Sequence, residues 1–244
     1  MQARLRIANS SKETGALLKE YLEDRGVTIT NKAEKVICYG VPHEGAYGNT
    51  RPASRGPGFG KIYNMERMNQ MGVRTVPWFQ GSVIPEGFKF PALARAAHGY
   101  GGTDIVPVFQ PEEVMWRVAS GWDWFSTFIP IAQEYRVWVC NGEHLDTYKK
   151  QMNRPTDFKF IGRNFRNGFD FIPAEYETDV AQIAIDALKA LHLDFAAIDL
   201  LRGKDGLLYI LECNTAPGVL KSGAQETLGK LADKMVEWLK SQEG

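Results

Sequence analysis

The sequence predicts an α/β chain, α+β in its later part, and three features carry that expectation. A strand, helix, strand succession opens the chain, a turn-linked pair of apolar β-leaning runs lies late in it, and amphipathic helical repeats flank that pair. The 244 residues can bury a sizeable core, as one large domain or two smaller ones. With 29 basic and 29 acidic residues the formal net charge is zero, so no global field draws the chain to nucleic acid or to an anionic membrane. No stretch approaches the ~20 apolar residues of a spanning helix, and residues 1–10 lack a signal-like apolar core. Cys38, Cys140 and Cys213 sit far apart inside apolar runs without CxxC spacing, which reads as buried free thiols in a reducing cytoplasm.

Residues 4–8 alternate as a short strand, and Asn9-Ser10-Ser11 is a cluster able to cap the helix that follows. Leu17, Leu18, Tyr21 and Leu22 repeat at helical spacing up to the stop at Gly26, and residues 27–30 and 36–41 read as further strands of a parallel sheet. Residues 42–60, rich in Gly, Pro, Asn and Ser and carrying Arg51 and Arg55, form either a plain connector or an anion-binding loop. A helix is expected over 61–71, closed by Gly72, then a strand over 73–77.

Residues 90–96 form a strand candidate with Arg95 near its end, running into His98 and the glycine cluster Gly99-Tyr100-Gly101-Gly102. A cation leading into such a turn can set charge and unobstructed N–H groups against phosphates, although the Gly-Lys-Ser/Thr ending of a P-loop is missing. A short helix begins at Glu112-Glu113, and Trp116, Trp122, Trp124, Phe125 and Phe128 crowd the region after it. Without interleaved Lys and Arg these aromatics read as packing rather than as a base-stacking platform. Strict alternation over 134–139 puts Glu134, Arg136 and Trp138 on one face. After the Asn141-Gly142 turn a second strand follows, in which Lys149 or Lys150 faces inward; alternation alone does not decide which. Residues 163–168 hold a second basic, polar cluster with Arg163 and Arg166, and amphipathic helices are expected over 178–191 and 226–240.

The runs 195–201 and 207–211 flank Gly203-Lys204-Asp205-Gly206, a hairpin whose register is set by its turn. Asp199 lies in the first strand; Glu212 and Asn214, two apart, share a face at the end of the second. These acids are either ordinary surface groups or an inward cluster, and an inward cluster among Ile, Leu and Ala needs a cation. Magnesium, which is commonly held by one or two carboxylates plus substrate phosphates, suits two acids and one amide.

Asp199, then Glu212-Cys213-Asn214, then Pro217-Gly218 resembles the C-terminal signature of the ATP-grasp superfamily, in particular the ribosomal-protein glutamate ligase-like carboxylate-amine ligases. The resemblance covers roughly residues 73–220. It implies an ATP-grasp fold behind a small N-terminal α/β pre-grasp domain, with 1–72 as the pre-grasp domain and 73–244 as the grasp, divided into a lid of about 73–128 and a C-terminal lobe of about 129–244. It also implies ATP with Mg2+, Mn2+ being able to substitute, and assigns the metal to Asp199, Glu212 and Asn214. Arg95 takes the role of the lid cation on the α- or β-phosphate and Gly101 and Gly102 that of the loop over the triphosphate. Phe128 and Ile129 fall at the hinge that reads adenine, Glu134 and Lys149 beside the nucleotide, and Arg136 at the transferred phosphoryl group. Arg95 and Arg136 are then the catalytic residues. His98, Lys150, Arg163 and Arg166 remain open. The implied activity joins a small-molecule or peptide carboxylate to an amine through an acyl phosphate, releasing ADP and phosphate; a small-molecule kinase and a non-catalytic nucleotide-binding module are the alternatives. No nucleic acid or membrane partner is expected, and homo-oligomers occur among such ligases.

Overall fold

The computed structural model describes residues 1–41, 46–47, 59–95, 105–153, 168–219 and 223–243. At its start β1 (Gln2–Ile7) leads through α1 (Lys12–Asp24) to β2 (Thr28–Ile29) and β3 (Val36–Tyr39), and β1 pairs in parallel with both. The Asn9–Ser11 turn before α1 makes no side-chain cap hydrogen bond. The Ser11 hydroxyl instead donates to the carbonyl of Ala216, 3.1 Å away, so the expected capping residue ties this unit to a loop late in the chain.

The helix α2 (Phe59–Gln70) packs away from that unit, with Met65 and Met68 in the core beneath the central sheet. After it, residues 74–76 do not form a strand of their own. They add to the central sheet by a parallel bridge, Thr75 to Ile210, in which the Ile210 N–H donates to the Arg74 carbonyl at 3.0 Å. Pro77 has no N–H to extend such a ladder, and the chain leaves it for a separate sheet. That sheet is antiparallel in the order β4, β7, β5, β6, from β4 (Trp78–Gln80), β5 (Ala92–Arg95), β6 (Ile105–Val108) and, beyond α3 (Glu113–Ala119), β7 (Trp124–Thr127). Phe79 stacks on Phe125 at 4.9 Å, and with Ala92, Ala94, Val108 and Val114 these rings give the small sheet its own core. Of the aromatic cluster, Trp124 and Phe125 are buried, whereas Trp116 stands largely exposed on α3.

The central sheet is antiparallel, ordered β10, β9, β8, β11, β12, from β8 (Ile131–Cys140), β9 (Glu143–Met152), β10 (Phe169–Pro173), β11 (Phe195–Gly203) and β12 (Leu208–Asn214), with α4 (Thr178–Ala190) before β11 and α5 (Gln225–Ser241) after β12. The β11–β12 turn closes at Gly206, whose φ of +81° suits a residue without Cβ. One face of the sheet, with Val137, Val139, Ala196, Ile198, Leu200 and Ile210, packs on α2 and α4. The opposite face changes character along its length. Trp138, Cys140, Phe195 and Ala197 pack against α5 and the N-terminal unit, while two residues further on, where the pleat returns to the same side, stand Arg136 on β8 and Asp199 on β11.

The core beneath the sheet is closely packed around Ile198, which is fully buried. Ile198→Ala is expected to lower unfolding stability by about 2–5 kcal/mol with unchanged far-UV dichroism, as read by denaturant titration.

Candidate active site

Strand register assembles the site. On β11, Asp199 lies opposite Arg136 of β8 on one side and Glu212 of β12 on the other, and β10 places Phe171 opposite Lys150 of β9. Arg136 grips Asp199 with its fork: Nε donates to Oδ1 at 2.7 Å and Nη2 to Oδ2 at 2.8 Å. The Lys150 ammonium adds a bond to Asp199 Oδ2 at 3.1 Å and another to Glu134 Oε1. All four side chains are largely withdrawn from water, Arg136 being the most exposed at 15%.

Bidentate, charge-assisted bonds in a dry setting are the strong kind, and their effect on protonation follows. Burial pushes the Asp199 carboxyl upward, but Arg136 and Lys150 outweigh it and hold its pKa at about 2. Burial opposes the charge of Lys150, yet Asp199 and Glu134 raise its pKa above the usual lysine value; Arg136 is likewise raised, by Asp199.

Glu212 sits at the open margin of the row. Its Oε1 accepts from Asn214 Nδ2 at 3.1 Å, and its Oε2 meets the ammonium of Lys61, from α2, at 3.0 Å. Burial raises its pKa, and Lys61 reverses the shift to a net lowering. Asp199, Glu212 and Asn214 thus lie on adjacent strands with the Asn amide oxygen not used by Glu212. Among the described residues no group of three acidic, His or Cys side chains could hold a metal by itself. Two carboxylates and an amide instead fit an ion that completes its shell with phosphate oxygens, as Mg2+ does.

The small sheet supplies Arg95, whose guanidinium lies over the Trp124 ring at 5.0 Å and whose Nε is buried without a hydrogen-bond partner among the described residues. Burial lowers its pKa, with Glu212 and Glu134 acting in the opposite direction, so it senses the carboxylates of the central sheet. A buried donor left open at the margin of such a cluster is suited to an anion. Phe128 and Ile129 lie between the two sheets: the Phe128 N–H donates to the Pro91 carbonyl at 2.9 Å, and Ile129 packs on the edge of the central core.

Lys149 is not brought to the cluster. It lies on the α4 side of the sheet, paired with Glu177 at 3.1 Å and over the Tyr135 ring, while its neighbour Lys150 faces Asp199. The reason is the register, which pairs Lys149 with Tyr135, a residue of the α4 face. Gly101, Gly102, His98, Arg163 and Arg166 lie outside the described residues. Lys61 is the residue that sequence reasoning missed, because nothing in a helix start signals contact with a carboxylate so far along the chain.

The loop after β12 is clamped by the N-terminal unit. The Tyr39 hydroxyl donates to the Pro217 carbonyl at 2.6 Å, and the Val219 N–H to Thr14 Oγ1 at 3.3 Å. A Cβ at Gly40 would come within 2.5 Å of Ala216, so only glycine permits this approach.

This pair of sheets has counterparts in known proteins. Residues 124–239 match the family described as the RimK-like ATP-grasp domain. A D-alanine-D-alanine ligase of Clostridium beijerinckii is 24% identical over 200 residues, spanning 75% of this chain and 64% of that protein. A probable alpha-L-glutamate ligase of Haemophilus influenzae is 56% identical over 41 residues, 17% of this chain and 13% of its own length. The chain therefore spans less than two thirds of the length of these relatives. Among solved structures, the ATP-grasp ligase PsnB complexed with minimal precursor aligns with a TM-score of 0.68 at 13% identity over 96% of this chain and 98% of its own. The D-alanine-D-alanine ligase from Bacillus anthracis aligns at 0.69 and 15% identity over 100% and 99%. These two likenesses are of fold. The matched range, residues 124–239, includes every cluster residue of the central sheet but neither Arg95 nor Lys61.

Removing one cation should expose how tightly the row is balanced. Lys150→Met is expected to cost about 3–5 kcal/mol of unfolding free energy, and adding Glu134→Gln to recover part of that loss in a double-mutant cycle. Because Asp199 titrates at about 2 when folded, against ~3.9 for an ordinary aspartate, its contribution is full above about pH 4 and is lost as pH falls through 2. The stability gap between wild type and Asp199→Asn should therefore narrow over that window in denaturant melts at fixed ionic strength.

Proposed function

We propose that this protein is an ATP-dependent carboxylate-amine ligase, forming an amide or peptide bond through an acyl phosphate with release of ADP and phosphate. The observation that carries the reading is the row Arg136, Asp199, Glu212, with Asn214 beside it and Arg95 and Lys61 at its margin. It joins a metal-ligand set to more basic side chains than the acids alone require, which is what a polyphosphate needs. Asp199, Glu212 and Asn214 would hold Mg2+, or Mn2+ in its place, and the ion when bound supplies charge neutralisation on phosphate oxygens. Arg136 keeps Nη1 outside its fork on Asp199, so it can present that edge to the transferred phosphoryl group while Asp199 fixes its plane. Arg95 approaches from the small sheet, and its buried Nε gives it an unmet demand for an anion on the lid side. Lys61, which pairs with Glu212, would be free to meet a phosphate oxygen were Glu212 to hold the ion. No protein nucleophile is needed; positioning and charge neutralisation carry the chemistry.

Substrates of this class are small molecules or peptides bearing a carboxylate and an amine. The named neighbours include a D-alanine-D-alanine ligase, a probable alpha-L-glutamate ligase and a ligase complexed with a minimal precursor, which supports that breadth. A pre-grasp domain over 1–72, a lid over about 73–128, a cytoplasmic setting, a homo-oligomeric assembly and an adenine site at Phe128 and Ile129 belong to the same proposal. No helix among the described residues is long and apolar enough to cross a membrane, and Cys38, Cys140 and Cys213 form no disulfide with one another.

The test is incubation with ATP, Mg2+ and a panel of amino acids, dipeptides and short peptides. Phosphate release is expected only when a carboxylate and an amine are both present, and transfer to an alcohol would mark a kinase instead. Glu212→Ala is expected to lower turnover at least about a hundredfold while leaving the thermal midpoint close to wild type. Retained full activity would remove Glu212 from the site.

A further inference from the structure

The row of charges ends in an aromatic ring. Phe171, on the edge strand β10, lies opposite Lys150 and turns to the same face of the sheet. The Arg136 guanidinium carbon stands 4.7 Å from the centre of its ring and the Lys150 ammonium 5.7 Å. One half-buried ring thus meets both cations that neutralise Asp199. Cations are held by the negative face of an aromatic ring, and more strongly where water is scarce.

Arg136 is consequently fixed on two sides. Its Nε and Nη2 edge is locked to Asp199, and its plane rests against Phe171. The carboxylate alone leaves the guanidinium able to rock about the axis of the fork; a ring 4.7 Å away restricts that motion and aims Nη1. We propose that Phe171 is a positioning residue for the reaction, acting through Arg136 and Lys150: its ring face sets the attitude of the guanidinium that meets the nucleotide phosphates. This inference rests on the ligase reading for the role of Arg136, but what it says of Phe171 can be measured without turnover.

The substitutions Phe171→Leu and Phe171→Tyr separate the electronic role from bulk. Leucine keeps an apolar side chain at the edge of the sheet and removes the ring face, whereas tyrosine keeps the ring. With Mg2+ and the non-hydrolysable analogue AMPPNP as probe, calorimetry should show Phe171→Leu binding about three- to thirtyfold more weakly than wild type and Phe171→Tyr within about twofold. In turnover with a working acceptor pair, Phe171→Leu should lower kcat by a similar factor with the KM for the carboxylate substrate little changed, and Phe171→Tyr should restore kcat. Thermal midpoints identify a fold effect, and Phe171→Met replaces the leucine variant if the latter unfolds. Equal behaviour of the leucine and tyrosine variants in both assays would overturn the proposal. Absence of wild-type turnover with every acceptor, together with the expected split in AMPPNP binding, would overturn the ligase reading and leave the role of Phe171 standing.

Discussion

The structure depends on how the carboxylate of Asp199 is neutralised in the interior of the central sheet. A bare carboxylate there would either take up a proton or oppose folding by several kcal/mol. Arg136 and Lys150 supply the compensation, but an ammonium as buried as that of Lys150 needs an acid of its own, and Glu134 provides it. The charges therefore form one unit, laid across β8, β9 and β11 by strand register. The apolar half of the same sheet face, around Trp138, Phe195 and Ala197, excludes water on the side toward α5, so the polar half has a dry wall behind it and an open margin at Glu212.

This division also explains the placing of the parts around the sheet. The small sheet has its own aromatic core and joins the central sheet through two short passages, one at Val76 to Trp78 and one at Thr127 to Ile131. Arg95 is carried by the small sheet, whereas the carboxylates belong to the central one, so an anion bound between them would be held from two separately packed sheets. The loop after Asn214 is tied down by Ser11, Thr14 and Tyr39, residues from the beginning of the chain. The N-terminal unit thus braces β12, which carries Glu212 and Asn214, from beyond its end.

Much of this was legible in the sequence, and the limits have physical causes. The carboxylate and amide donors could be read because a four-residue turn fixes the β11–β12 register and alternation then puts Glu212 and Asn214 on one side. Glu134 and Arg136 were legible for the same reason. Lys149 and Lys150 could not be separated, since one step of register exchanges the faces of a strand; the structure turns Lys150 inward and leaves Lys149 with Glu177. Lys61 and Phe171 carried no local signal. The first sits in a helix whose contact with Glu212 is purely tertiary, and the second lies in a five-residue edge strand whose pairing with β9 no turn announces. The expectation that residues 73–77 form a strand was half met, as a bridge to β12 ended by Pro77, and the expectation that Asn9 to Ser11 cap α1 gave way to a longer-range bond from Ser11.

The proposed chemistry requires a cation and a polyphosphate to meet at Asp199, Glu212 and Asn214. Anomalous diffraction from crystals grown with Mn2+ and AMPPNP tests this most directly. It should place a manganese peak within about 2.0–2.4 Å of oxygens from these three side chains and from the nucleotide phosphates. A peak elsewhere, or a nucleotide bound away from the row, would contradict it.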